Sequence, residues 1–268
     1  MDKARVMPEG TKFQSYDFDA GFNGKMAKYR WEKVQRYLPP IHHGENLTAL
    51  DVGAGTGIMA RKMLGYFHNV VCLEPDSRRF EELEGLGVKA EHISFENYKA
   101  KKDQKFEAIF MFGVLEHVEN PVSCLIKAGG YLAPSGRIFI TVPNAESLHR
   151  RWGLARGDIK TIDELSGLDI FVGHERYYTA KSLIGDILAA GLFYDEITSF
   201  MLKPYPNNEM DKLPEELIDD LFRYYDSVLG GAELLAVCSR RDEYEILNNC
   251  STSNGELHSV GVCEESGA

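Results

Sequence analysis

Residues 48–64, TALDVGAGTGIMARKML, decide the fold. The apolar run from Leu47 to Val52 predicts a short strand, Gly53, Gly55 and Gly57 predict a turn, and the spacing from Ile58 to about Leu64 predicts an amphipathic helix. Glycines at a strand-to-helix turn admit positive φ and let a ligand approach where a Cβ would stand in the way. The helix that follows offers unpaired N–H groups. Together these parts make a cradle of nucleotide size. A dinucleotide fingerprint needs a third small residue where Ile58 stands, which counts against NAD or FAD. A second apolar run, Val70 to Leu73, ends in Glu74 about twenty residues on, where a carboxylate can accept both hydroxyls of a ribose.

Around this stretch lies a chain of 268 residues, which suits one large domain with insertions and can bury a full core. Its 44% hydrophobic and 26% charged residues place it among soluble globular proteins. A net charge of −11, with no run of lysine and arginine, speaks against nucleic acid as a partner. The N-terminal MDKARVMPEGTKFQ lacks the apolar core of a signal peptide, and no stretch approaches the roughly 18 apolar residues of a membrane span. No membrane partner and a cytoplasmic location are therefore expected. Cys72, Cys124, Cys238, Cys250 and Cys263 form no C-x-x-C pair, so they are expected to be reduced, three in buried elements and two in the tail.

The chain divides into an N-terminal segment (1–22), a domain (23–241) and a polar, non-periodic tail (242–268) expected to be disordered. Phe13, Tyr16, Phe18 and Phe22 suggest that the first segment drapes over the body or a ligand site. Helical spacing from Gly24 to Leu38 stops at Pro39-Pro40. After the glycine turn, Asp76 to Gly85 reads as a helix, Val88 to Ile93 as a strand, and FEAIFMF (Phe106–Phe112) as a strand apolar on both faces. Pro121 to Leu132 reads as a helix, Pro134-Ser135-Gly136 as a turn, and Arg137 to Val142 as a strand. This alternation predicts right-handed crossovers and a parallel sheet.

From residue 144 to 178 little regular periodicity remains. His149, Arg150, Arg151, Trp152, His174, Arg176, Tyr177 and Tyr178 fall here, and so long a connection with this content is expected to be functional. Thr179 then caps a helix to about Ala190, and Phe193 to Phe200 is a sixth strand. An insertion, Lys203 to Gly231, holds an amphipathic helix, and Ala232 to Ser239 is a seventh strand.

Four runs in order, LDVGAGTG, CLEPD, FGVLEHVENP and GRIFITVPNAESLHRRWG, resemble a class I S-adenosylmethionine-dependent methyltransferase, and within it the branch of ubiquinone-biosynthesis and other small-molecule O-methyltransferases. The resemblance spans about Tyr29 to Phe200. It implies a Rossmann-like α/β fold, with a seven-stranded, mostly parallel sheet, an antiparallel last strand, helices on both faces and a helical insertion before the last strand. It implies S-adenosylmethionine as donor and S-adenosylhomocysteine as product. By family position, Asp51, Gly53, Ala54 and Gly55 surround the methionine part, Glu74 binds the ribose, and Pro75, Asp76, Ser94 and Phe95 flank the adenine. Phe112 and Gly113 lie beside the sulfonium, and Arg30 matches an arginine that pairs with the donor's carboxylate in some relatives. The ubiquinone-type enzymes carry an acid three residues before the Glu-His pair that completes a metal site. Here that position is Gly113, leaving Glu116 and His117, so no metal is expected.

Methyl transfer to a weakly acidic hydroxyl needs placement, exclusion of water and a base that titrates near neutrality. His117, His174 and His149, in that order, are the candidate bases. Arg150, Arg151, Arg156 and Arg176 are a candidate clamp for an anionic acceptor, or partners of surrounding acids. The insertion is expected to serve as a lid or a homodimer contact. The function these features favour is methylation of an oxygen, less readily a nitrogen, of a small metabolite. The competing readings are a protein or RNA methyltransferase and a non-catalytic donor-binding regulatory subunit.

Overall fold

The computed structural model describes residues 21–38, 46–223 and 230–240. The N-terminal drape over residues 1–20, the tail and two of the cysteines fall outside this range.

Along each central strand, alternate side chains enter opposite layers. In β1 (Thr48–Val52) and β4 (Phe106–Phe112), Ala49, Ala108 and Phe110 face one core, and Leu50, Val52, Ile109 and Met111 the other. Both faces being apolar, the strands must lie between helical layers. One layer comprises α1 (Gly21–Val34), α2 (Ile58–Met63), α3 (Ser77–Leu83), α8 (Asn207–Met210) and α9 (Glu215–Arg223). They contribute Trp31, Met59, Leu83, Met210 and Phe222 among others. The other comprises α4 (Pro121–Tyr131) and α7 (Ala180–Ala189), through Leu125, Ala128, Leu183 and Ile187. In the first layer Phe110 stacks on Phe139 at 5.0 Å and meets the edge of Phe67 at 5.6 Å.

The remaining strands are β2 (Asn69–Leu73), β3 (Lys89–Glu91), β5 (Leu132–Pro143), β6 (Leu192–Phe200) and β7 (Glu233–Arg240). Their order is β3-β2-β1-β4-β5-β7-β6. All neighbouring pairs from β3 to β5 are parallel, and β7 runs antiparallel between β5 and β6. This is the expected sheet. The chain builds outward from β1 in one direction through β2 and β3 and in the other through β4 and β5. Such a reversal opens a crevice at the carboxyl ends of β1 and β4, where ligands of open α/β sheets bind.

Two expectations change. The Pro134-Ser135-Gly136 turn is a kink inside β5, with Ser135 at φ +59° and a register shift opposite Phe106 and Ala108. Residues 144–178 contain two helices, α5 (Leu148–Arg156) and α6 (Gly167–Val172). No apolar stripe announced them, because the residues they bury are Arg150 in α5 and Asp169 and Val172 in α6. A close backbone approach joins the end of β6 to the start of β7: a Cβ on Gly231 would stand 2.4 Å from Phe200 O, so only glycine fits there.

Candidate active site

The glycine turn has the geometry its sequence demands. Gly53, Gly55 and Gly57 adopt φ of +68°, +59° and +81°, and the N–H groups of Gly53 and Ala54 donate to Leu73 O at 2.9 and 3.0 Å. Glu74, at the end of β2, locks the turn further. Its Oε2 accepts from Gly55 N at 2.7 Å and its Oε1 from Asp76 N at 2.8 Å. Burial raises its pKa, and those two amide bonds oppose the shift. Asp51 sits beneath the turn with Oδ2 buried and unpartnered. Burial, then the charge of Glu74, pushes its pKa up to about 7.

The turn opens into a cavity of about 1030 Å³. Ligand pockets commonly run to roughly 300–1,000 Å³, so this one has room for a donor and an acceptor together. Arg30, Asp51, Gly53, Ala54, Gly55, Phe112, Gly113, His117, His149 and His174 all line it, although they come from distant parts of the chain. Glu74, Pro75, Asp76, Ser94 and Phe95 do not line it. Asp76 caps α3, accepting from the N–H groups of Arg78 and Arg79. Pro75 O lies 3.0 Å from His92 Nε2, and Ser94 Oγ accepts from Asn97. Phe95 is buried, its ring 5.2 Å from Lys127 Nζ.

At the carboxyl end of β4 the backbone turns through Gly113, at φ +67°, and presents Glu116 and His117. The segment carrying His174 is fastened to them. Glu175 N donates to Glu116 O at 2.7 Å, and Arg176 donates to the carbonyls of Leu115, Val118 and Glu119. The rings of His117 and His174 therefore meet edge to face at 4.7 Å. His117 Nδ1 lies 3.2 Å from Gly173 O. Burial, reinforced by His174, lowers the pKa of His117 to about 4, so the ring is neutral at pH 7. Glu116 is buried with Oε2 unpartnered, and burial pushes its pKa up to about 7.

Asp169 lies behind His174. Its Oδ1 is 3.3 Å from His174 Nδ1, within ion-pair reach but outside good hydrogen-bond geometry. Ser166 N and Oγ donate to its Oδ2 at 2.7 and 2.6 Å, and Tyr177 OH to its Oδ1 at 3.0 Å. Burial opposes ionisation, but these bonds hold the carboxyl well below the usual carboxylate range. Sequence reasoning missed Asp169. The signal was the Ser166-x-x-Asp169 capping box, which starts α6 and aims the acid at the cavity.

His149 also faces the cavity, with Nδ1 buried and unpartnered; burial, then Lys203 and Arg150, lowers its pKa to about 3. The arginines have other work. Arg150 stacks 3.7 Å over Tyr177 and donates to Ile162 O and Glu164 O, Arg151 binds Glu146, and Arg156 pairs with Asp158. Trp152 and Tyr205 face each other at 5.9 Å on the cavity wall. Among the described residues, one cluster could hold a metal ion: Glu116, His117 and His174 each offer a ligand atom, all within 4.8 Å of one another.

A model of the methyltransferase domain family matches residues 22–196. The ubiquinone biosynthesis O-methyltransferase of Xanthomonas axonopodis pv. citri is 30% identical over 121 residues, 43% of this chain and 49% of that protein. The tRNA U34 carboxymethyltransferase of Shewanella woodyi is 28% identical over 121 residues, 42% of this chain and 36% of that protein. The chain thus spans about half or less of the length of these curated relatives. A S-adenosylmethionine-dependent methyltransferase of Thermotoga maritima, described as a possible histamine N-methyltransferase, superposes with a TM-score of 0.58 at 18% identity, covering 81% of this chain and 89% of that one. With its sheet order, its glycine turn below the crevice and this match along most of its length, the chain belongs to the methyltransferase domain family and has the class I S-adenosylmethionine-dependent fold.

Proposed function

We propose that this protein transfers the methyl group of S-adenosylmethionine to a hydroxyl oxygen of a small metabolite, with His174 as general base. The observation that carries this reading is the Asp169–His174 pair at the end of the cavity where β4 delivers Gly113 and Glu116. The donor would be held along the turn 53–57, with Glu74, Pro75, Asp76, Ser94 and Phe95 beyond the cavity lining on its adenosine side and Phe112 and Gly113 beside its sulfonium. It would supply an electrophilic methyl group on the side of His117 and His174.

Transfer is an in-line displacement: an acceptor oxygen attacks the methyl carbon, and the bond to sulfur breaks to leave a neutral thioether. The acceptor's proton must leave as its oxygen attacks. His174 takes it on Nε2, while Asp169, held ionised by Ser166 and Tyr177, stabilises the imidazolium that forms. His117, neutral against Gly173 O, packs on the ring of His174 and restricts it. His149 lies further out, among the acceptor's contacts. Trp152 and Tyr205, half exposed on the cavity wall, offer aromatic surface that a bound acceptor would cover.

A second reading, methylation of RNA, is favoured by the tRNA-modifying relative and opposed by the net charge of −11. Incubation with methyl-labelled donor and a cell extract split into small-molecule, protein and RNA fractions decides between them. Label in a small molecule is expected. Label confined to RNA or protein overturns this function, and donor binding with no label anywhere indicates a regulatory subunit.

A further inference from the structure

Both signs of charge line the cavity: Arg30 and Arg79 stand with Asp51, Glu116 and Glu233. Asp158, Asp169 and Asp211 stand with His149, Arg150, Arg156 and Lys203. Of these, the arginines are committed: Arg150 to two carbonyls and a ring, Arg156 to Asp158. Lys203 differs. It follows β6 directly, and its Nζ donates to Asn207 Oδ1 at 2.7 Å. An ammonium has three N–H donors, and among the described residues no carboxylate lies within 4.0 Å of this one.

The acids nearest in effect are Glu233 and Asp169, and both have other partners. Glu233 is gripped by Arg30, and Asp169 by Ser166 and Tyr177. Lys203 is half-buried, its ammonium 6.0 Å from the centre of the Phe22 ring; without an ion-pair partner among the described residues, it leaves donors that an anion would satisfy. Two neighbours give the place a shape. His149, close enough to feel the charge of Lys203, brings an Nδ1 without a partner among the described residues, and Tyr205, two residues along the chain, faces Trp152 across the wall.

We propose that Lys203 anchors an anionic group, a carboxylate or a phosphate, of the methyl acceptor. The anion sits on the Lys203 ammonium beside His149, and the acceptor's body lies along Trp152 and Tyr205, with its hydroxyl reaching His174. This rests on the methyltransferase reading. The same ammonium could instead serve the carboxylate of the donor, and the experiment separates the two.

Benzoate and inorganic phosphate are titrated by calorimetry into the protein saturated with S-adenosylhomocysteine, for wild type, Lys203→Met and Lys203→Arg, with thermal melting to establish that each variant is folded. Benzoate or phosphate should bind the wild type, and Lys203→Met should weaken that binding about tenfold or more, the size of one charge-assisted hydrogen bond. Lys203→Arg should restore most of it, and S-adenosylhomocysteine affinity should stay within about twofold throughout. Absence of anion binding to wild type, or equal binding to Lys203→Met, overturns the proposal. So does a loss of S-adenosylhomocysteine affinity in Lys203→Met that spares 5′-methylthioadenosine, which lacks the carboxylate. A wild-type chain that binds no S-adenosylhomocysteine brings down the methyltransferase reading instead; an anion site lost in Lys203→Met would then stand as a site for some other ligand.

Discussion

Arg30 grips Glu233 with two parallel contacts, Nε to Oε2 at 2.9 Å and Nη2 to Oε1 at 2.5 Å. The pair ties α1 to the first residue of β7 and lies on the cavity wall. A guanidinium carries five N–H donors, and among the described residues Glu233 takes two of them; the proposed role of the others is to hold the carboxylate of the donor. Arg30→Met should weaken S-adenosylhomocysteine about tenfold or more and leave 5′-methylthioadenosine within about twofold, as measured by calorimetry. Equal losses for both ligands would limit Arg30 to a packing role.

The Asp169–His174 pair makes a kinetic prediction. His174→Ala should lower kcat by about 10²- to 10⁴-fold, the usual contribution of a general base, with donor affinity unchanged. Asp169→Asn keeps the shape and removes the charge. It should lower kcat less than His174→Ala, since the imidazole stays in place but the imidazolium formed during transfer loses its stabilising partner. Wild-type turnover in His174→Ala excludes it as the base.

The cluster of Glu116, His117 and His174 is expected to work without a resident ion, the imidazole of His174 being used for the proton. Zinc favours two nitrogens and a carboxylate as ligands. Added Zn²⁺ should therefore inhibit turnover and EDTA should reverse the inhibition, while EDTA alone changes nothing. Activity abolished by EDTA and restored by a divalent ion would make the cluster a metal site.

Two buried acids set a pH dependence of stability. Asp51 and Glu116 have folded-state pKa values raised to about 7, above their unfolded values. Their stabilising, protonated form is fully present below pH 4 or so and is lost as pH rises toward about 7. Glu116→Gln should flatten that decline by up to about 3 kcal/mol, seen in urea unfolding of the ligand-free protein at pH 5 and pH 8. Because the lowered pKa values of His117 and His149 raise stability with pH over part of this interval, the test is the difference between the two proteins: a Glu116→Gln profile parallel to that of the wild type contradicts the assignment.

Gly231→Ala tests the junction of β6 and β7. A Cβ 2.4 Å from Phe200 O and 2.6 Å from its N cannot be accommodated by a side-chain movement. The backbone must shift, at about 1–3 kcal/mol, read as a lowered midpoint in denaturant unfolding.

The sheet and the glycine turn were legible because both rest on local rules. Glycines 53, 55 and 57 announce positive φ, and the unbroken apolar run 106–112 announces a strand covered on both faces. The acceptor end was not legible, because it is assembled from polar contacts between distant segments. The helices α5 and α6 bury an arginine and an aspartate where a hydrophobic stripe would have revealed them. Of the arginines that looked like a clamp, Arg150, Arg151 and Arg176 donate to backbone carbonyls and Arg156 pairs with Asp158, and Lys203 drew no notice because nothing in its neighbours 201–205 signals a place on the cavity wall. His117 and His174 could each be proposed, but their contact follows only from the folded chain.

The stitching of residues 174–176 to residues 115–119 has a consequence for how such an enzyme could be re-targeted. Glu175 N on Glu116 O, and Arg176 on three carbonyls of that loop, make the two stretches a single graft. Transplanting residues 144–178 from a relative, to exchange one acceptor for another, would tear the incoming piece from its moorings unless residues 113–119 travelled with it. Recombination between such proteins should therefore succeed at crossovers that keep both stretches from one parent, and fail between them even where sequence similarity is highest.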